Sequence, residues 1–277
     1  MGRFDGILIC TDLDGTLYKN DKTVSAENKA AIEYFKKEGG YFTFITGRLP
    51  YYSIDAYRKI MPNAPYGCIN GGGIYDGEKE KYVSSVALYS SALTLAGCID
   101  ESFPAVGIEL CGFYNTYFAK ESSATVIHRA RTGLPYLPCD YKKFDLPLGK
   151  IMFCTECEEE IQGVESTLRS HALAEKFDFI RSERTLFEIL PRGVDKSLSL
   201  KGIAEYLGVD MANTVAIGDY DNDVAMLGAA GVGFAVANAS PGAISAADMV
   251  TASNEEHAIM RVVEEIEKNY LSEWRAK

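Results

Sequence analysis

The chain has 277 residues, 47% hydrophobic and 24% charged, ordinary proportions for a folded chain that can bury one large core or two moderate ones. A formal net charge of −11 argues against nucleic acid or an anionic membrane surface as partner, because both reward a basic face. Seven cysteines, an odd number with no framework spacing, fit reduced thiols in a cytoplasmic protein.

The chain opens with a short apolar run, Ile7–Cys10, far below the length of a secretory core, and Gly6 stands where an N-myristoylation signal needs Ser or Thr. Gly6–Thr11 reads instead as a buried parallel strand ending in Asp12-Leu13-Asp14-Gly15-Thr16. Ser25 caps a helix through Lys37, which Gly39-Gly40 stops. Tyr41–Ile45 is a second strand, ending in Thr46-Gly47-Arg48. A helix follows over about Tyr51–Ile60, and Gly67–Ile69 leads into a tight turn at Asn70-Gly71-Gly72-Gly73. That turn lacks both the lysine of a P-loop and the spacing of a dinucleotide fingerprint.

Residues 82–99 carry no charge. Ser84, Ser85, Ser90, Ser91 and Thr94 make them too polar for a membrane span, which takes roughly 20 apolar residues, so an amphipathic helix with Val86, Tyr89, Leu93 and Ala96 on one face is expected. Scattered aromatics, Pro135, Pro138 and Pro147, and strand-like runs at Lys150–Cys154 and Leu186–Leu190 mark residues 82–190 as an inserted α+β domain. Cys154 and Cys157 form a C-x-x-C, but no second pair of ligands stands at zinc spacing. The strand–helix alternation resumes with a helix over Lys196–Leu207, strands at Thr214–Ile217 and Val232–Val236, a helix beginning at Asp223 and a charged one over Glu255–Glu267. The fold class is therefore α/β: a Rossmann-like parallel sheet made from residues 1–81 and 191–277, with the α+β insertion between them.

Ligands of open parallel sheets bind beyond the carboxyl ends of the strands. Polar clusters stand at such ends here: Asp12/Asp14, Thr46-Gly47, and Gly218-Asp219-Tyr220-Asp221-Asn222-Asp223. Lys196 opens a late helix. Asp12 and Asp14, one residue apart on an extended chain, should point the same way. Together with Asp219 they would repel unless a hard cation sat between them, and Mg²⁺ suits carboxylates, water and phosphate oxygens. Thr46, the backbone N–H groups near Gly47 and the Lys196 ammonium then look like phosphate binders.

These four clusters resemble the motifs of the haloacid dehalogenase (HAD) superfamily, and specifically its Cof-type branch with a large inserted cap. Gly193-Val194-Asp195-Lys196 and Ala237-Asn238-Ala239 match recurring segments of that branch. The resemblance implies a phosphatase acting on a small phosphorylated metabolite, a sugar phosphate being favoured by the large cap. It also implies Asp12 as nucleophile and Asp14 as general acid, then base. Thr46, Gly47, Lys196 and Asn222 would hold the phosphoryl group. Mg²⁺ would sit on Asp12, the Asp14 carbonyl, Asp219 and Asp223, the last directly or through water. The cap would exclude water and read the leaving group, with His128, Arg129, Arg131 and Tyr136 as candidates; each could equally be a surface or cap-core residue. A phosphomutase on the same scaffold and a receiver-like phosphoaspartate binding protein are the alternatives, and the acid at Asp14 argues against the receiver.

Overall fold

The computed structural model describes residues 2–270. Strand β1 (Leu8–Thr11) is followed by helix α1 (Ala26–Lys37), strand β2 (Tyr41–Phe44) and helix α2 (Pro50–Ile60). Strands β3 (Tyr66–Cys68), β4 (Gly73–Asp76) and β5 (Lys81–Ser85) form a small sheet in that order. Next come α3 (Ala92–Ser102), β6 (Gly107–Gly112), β7 (Thr116–Lys120), α4 (Ser123–Thr132) and β8 (Leu148–Cys154), then α5 (Glu158–Ser170), β9 (Phe177–Glu183) and β10 (Leu186–Pro191). The chain continues through α6 (Lys196–Leu207), β11 (Thr214–Gly218), α7 (Val224–Ala229), β12 (Val232–Ala235), α8 (Pro241–Ala246), β13 (Met249–Val250) and α9 (Ala258–Glu265). No helix among the described residues is long and apolar enough to cross a membrane.

Two compact units result. One comprises Met1–Thr46, Asp55–Val83 and Asp195–Lys277, the other Gly47–Ile54 and Ser84–Val194. Residues 47–54 thus pack with the second unit, although the sequence reading gave them to the first.

The first unit is built on a parallel sheet of order β13-β12-β11-β1-β2. β1, β11 and β12 are buried along their whole length, which is why their sequences are apolar throughout rather than alternating. Helix α1 begins where the Ser25 hydroxyl accepts the Asn28 N–H at 3.2 Å, and α6 where Asp195 accepts the Ser197 N–H at 2.8 Å. Leu8, Cys10 and Ala216 from the strands pack with Leu200, Ile203 and Met226 from the helices. The register sets Thr11 beside Ile217 on one side and beside Phe44 on the other. The residues following β1, β11 and β2 therefore emerge together.

The second unit has an antiparallel sheet of order β7-β6-β8-β10-β9. One face, with Ile108, Leu110, Ile151, Phe153 and Phe187, is buried with α3 and α5 residues such as Leu95, Ile99 and Ile161. The alternate residues Glu109, Cys111, Lys150, Cys154 and Glu188 point to the opposite face and are buried too.

One expected element is corrected. Residues 82–99 are not one helix: Lys81–Ser85 is strand, and α3 starts only at Ala92. Val86 and Tyr89, placed on the apolar helix face, are exposed, while the buried stripe is Ala92, Leu95, Ala96 and Ile99. Lack of charge followed from serines and threonines, which suit strand and loop as readily as helix.

Candidate active site

All the site residues expected from the strand ends, Gly47 apart, lie in the first unit. Asp12 follows β1, and its N–H continues the ladder by donating to the Ile217 carbonyl at 2.8 Å. Asp219 follows β11. Asp223 sits just before α7, where its Oδ2 accepts the N–H groups of Asp219 at 2.9 Å and Tyr220 at 3.1 Å. One carboxylate oxygen from each of Asp12, Asp219 and Asp223 lies within 4.8 Å of the others.

Lys196, fully buried at the start of α6, closes this group. Its Nζ lies 2.7 Å from Asp12 Oδ1 and 2.6 Å from Asp223 Oδ1. Burial alone would depress the ammonium, but Asp12 and Asp223 outweigh it and hold its pKa above the usual lysine value. One ammonium does not balance three acids. Burial raises the Asp12 carboxyl well above the usual range, and repulsion from Asp223 and Asp219 adds to it against the pull of Lys196. Asp219 is pushed up to about 7 by burial and then by Asp223, although the Thr16 hydroxyl donates to its Oδ1 at 2.8 Å and favours the charged form. Crowded oxygen donors with raised proton affinity are the donor chemistry of a hard divalent cation, so the residues fit Mg²⁺.

Asp12 and Asp14 both lie beyond the end of β1, which stops at Thr11, and Asp14 adds to the repulsion on Asp219. The Asp14 carboxylate pairs with Lys22 Nζ at 2.9 Å and is 38% exposed, against 10% for Asp12. The turn is fixed by Gly15, whose φ of +82° is in the left-handed region and whose added Cβ would stand 2.4 Å from Asp219 Oδ2.

Thr46 is buried next to β2, and its backbone accepts the N–H of Asn70 at 3.1 Å, reciprocal to the Gly67 carbonyl accepting the Thr46 N–H at 3.0 Å. Asn70 is the residue that sequence reasoning missed. Taken there for part of a tight turn, it is fully buried with φ +51°, and its Oδ1 accepts from Asn222 Nδ2 at 3.1 Å. It ties the Thr46 loop to the Asp219–Asp223 loop. Asparagine tolerates the left-handed region better than most residues, a signal too weak to assign a role from sequence. Thr16 was likewise not singled out. Gly47 falls in the second unit, where its carbonyl accepts from Lys150 Nζ at 3.0 Å. The four cap candidates are all engaged within the second unit. His128 bonds Glu109, Arg131 pairs with Glu183 at 2.9 Å, and Arg129 lies 4.6 Å over the Tyr136 ring. Cys154 and Cys157 do not act as a pair: the first is buried beside Glu109 and the second is exposed beside Glu159.

A family profile described as haloacid dehalogenase-like hydrolase matches residues 9–263. The chain belongs to that family. It is a Cof-type phosphatase of the HAD superfamily, with the fold class read from the sequence. Among its relatives is the 5-amino-6-(5-phospho-D-ribitylamino)uracil phosphatase YitU of Bacillus subtilis, 29% identical over 93% of this chain and 96% of the relative. A solved haloacid dehalogenase-like hydrolase from Bacteroides thetaiotaomicron shares 25% identity and a TM-score of 0.81, over 94% of this chain and 99% of that one. A solved HAD subclass IIB sugar phosphatase has the same fold, with a TM-score of 0.81 at 19% identity over 94% and 98% of the two chains.

Proposed function

We propose that this HAD phosphatase hydrolyses the phosphomonoester of a small phosphorylated metabolite, a sugar phosphate being the favoured class, through a phosphoaspartate on Asp12. The observation that carries the reading is the buried Lys196 ammonium held between Asp12 and Asp223, with Asp219 in the same cluster. Such a group neutralises a nucleophilic carboxylate and an incoming phosphoryl oxygen at once, which is most of what phosphoryl transfer asks of a protein.

Asp12 attacks phosphorus, the bond to the leaving oxygen breaks, and Asp14 gives that oxygen its proton. Water then attacks the phosphoaspartate while Asp14 takes the water's proton, releasing phosphate and restoring Asp12. Thr46, the N–H groups near Gly47, Lys196 and Asn222 hold the phosphoryl oxygens. Asn70 positions Asn222 and the Thr46 loop. Asp12, Asp219 and the Asp14 carbonyl would hold Mg²⁺, with Asp223 behind a water because its own oxygens are taken by Lys196 and two N–H groups, and the ion would neutralise developing charge. The Asp14–Lys22 pair must open for Asp14 to serve as an acid, and its partial exposure permits this.

The test is phosphate release from p-nitrophenyl phosphate and from a panel of sugar phosphates, with Mg²⁺. Asp12→Asn should abolish turnover. Asp14→Asn should lose far more on sugar phosphates than on p-nitrophenyl phosphate, whose leaving group needs no proton. Wild-type activity no greater than that of Asp12→Asn would sink the mechanism. Phosphoryl transfer to a second substrate hydroxyl, without net phosphate release, would favour a mutase.

A further inference from the structure

The buried face of the second unit's sheet carries a second constellation that the phosphatase chemistry does not use. Glu109 on β6 and Cys154 on β8 come from adjacent strands, and His128 comes from α4. Glu109 and Cys154 are fully buried; the His128 side chain is 13% exposed. His128 Nδ1 is 2.9 and 3.1 Å from the two Glu109 oxygens, and Cys154 Sγ is 3.6 Å from Oε1. All three donor atoms lie within 4.8 Å of one another. The positions are held rigidly. Gly107 on β6 admits the start of α4 so closely that a Cβ there would stand 2.3 Å from Thr125 Cγ2, and α4 is locked by reciprocal Ser122–Thr125 capping bonds.

We propose that Glu109, His128 and Cys154 form a binding site for a thiophilic divalent cation of the zinc class, distinct in residues and in chemistry from the acidic Mg²⁺ cluster. The donors are one imidazole nitrogen, one carboxylate oxygen and one thiol sulfur, a set that zinc-class ions favour and Mg²⁺ does not. Zinc bonds of about 2.3 Å to sulfur and about 2.0 Å to oxygen at a tetrahedral angle put the two donors about 3.5 Å apart, against the 3.6 Å found. The imidazole needs to withdraw by a few tenths of an ångström from hydrogen-bonding distance, which its partial exposure allows.

Charge favours the same occupant. Lys150 on this face bonds Glu188 at 2.8 Å and the Gly47 carbonyl, balancing Glu188, and acts on Glu109 through space rather than by a bond. A divalent ion with one carboxylate, one thiolate and a neutral imidazole sums to zero charge, as a buried site requires. Without the ion, burial and then the neighbouring Glu109 carboxylate hold the Cys154 thiol protonated, so binding must release that proton. Tyr52 is a further unsatisfied polar group within electrostatic reach of Glu109. Its hydroxyl is buried without a hydrogen-bond partner, and its pKa is pushed up to about 12 by burial, then by Cys111, Tyr51 and Glu109.

The test is a Co²⁺ titration of the full chain, stripped with chelator, with Zn²⁺ as competitor. The expected result is a thiolate-to-cobalt charge-transfer band that saturates at one Co²⁺ per chain, that Zn²⁺ abolishes and that survives Asp219→Asn and Cys157→Ser. Cys154→Ser should lose the band altogether, and His128→Gln should lose tight binding. If Cys154→Ser does not fold, His128→Gln, at the partly exposed ligand, decides the matter alone. Absence of a band in wild type, a band that persists in His128→Gln, or one that disappears with Cys157→Ser would overturn the proposal.

Discussion

Lys196→Met tests whether a single ammonium holds the acidic cluster together. Methionine keeps the length of the stem, so the packing loss is small and the change removes mainly charge. Two buried carboxylates, 2.7 and 2.6 Å from Nζ, lose their counter-charge. Removing one partner of a buried pair costs about 3–5 kcal/mol, and with two acids depending on one base the upper end is expected at pH 8. The sign with pH follows from the shifts. The raised Lys196 pKa means that its contribution is fully present below the ordinary lysine value and constant across pH 5–8. Asp12 is already raised, and without Lys196 it rises further, so it stays protonated in the folded chain while ionising in the unfolded one. Stability of the variant should then fall with rising pH by up to about 1.4 kcal/mol per unit for each such acid. Urea unfolding in chelator at pH 5 and pH 8 measures this. A loss below about 1 kcal/mol at pH 8, or the same loss at both pH values, would refute the electrostatic account.

Asp219, with its folded pKa raised to about 7, adds stability below the unfolded carboxylate range that fades as pH rises through 7, up to about 4 kcal/mol in all. Mg²⁺ binding should therefore release more protons near pH 6 than at pH 8, where Asp219 is already ionised, as calorimetry in buffers of different ionisation enthalpy would show. Gly15→Ala should cost about 1–2 kcal/mol from the left-handed turn, and by displacing Asp219 it should raise the Mg²⁺ concentration for half-maximal activity at least about tenfold. Glu188→Gln should lower stability by about 3–5 kcal/mol by stranding Lys150, read as faster amide exchange in β8 and β10; unchanged exchange there would contradict a structural role for the pair.

The parallel core was legible because strands buried on both faces are written as apolar runs, and β1, β2 and β11 each lead into a residue with chemistry. Asp12, Asp219 and Lys196 could be grouped because that topology brings strand ends together. Asn70 could not, since its significance lies in bonds to residues far away in sequence. Glu109, His128 and Cys154 were equally silent: antiparallel pairing brings Glu109 and Cys154 together across 45 positions, with no spacing rule to announce it.

The membership of residues 47–54 bears on how interchangeable the inserted domain is. Gly47 is bonded by Lys150, and Tyr52 lies within the electrostatic reach of Cys111 and Glu109, so this short stretch belongs to the second unit in packing though not in sequence. The polypeptide crosses between units after Thr46, Ile54, Val83 and Val194, four seams where a simple insertion has two. A chimera that grafts in a relative's domain at 84–194 alone would inherit a mismatched eight-residue sliver directly after Thr46. Transplants that carry both pieces together are the ones expected to fold, and divergence in the two pieces should be correlated as though they were one gene segment.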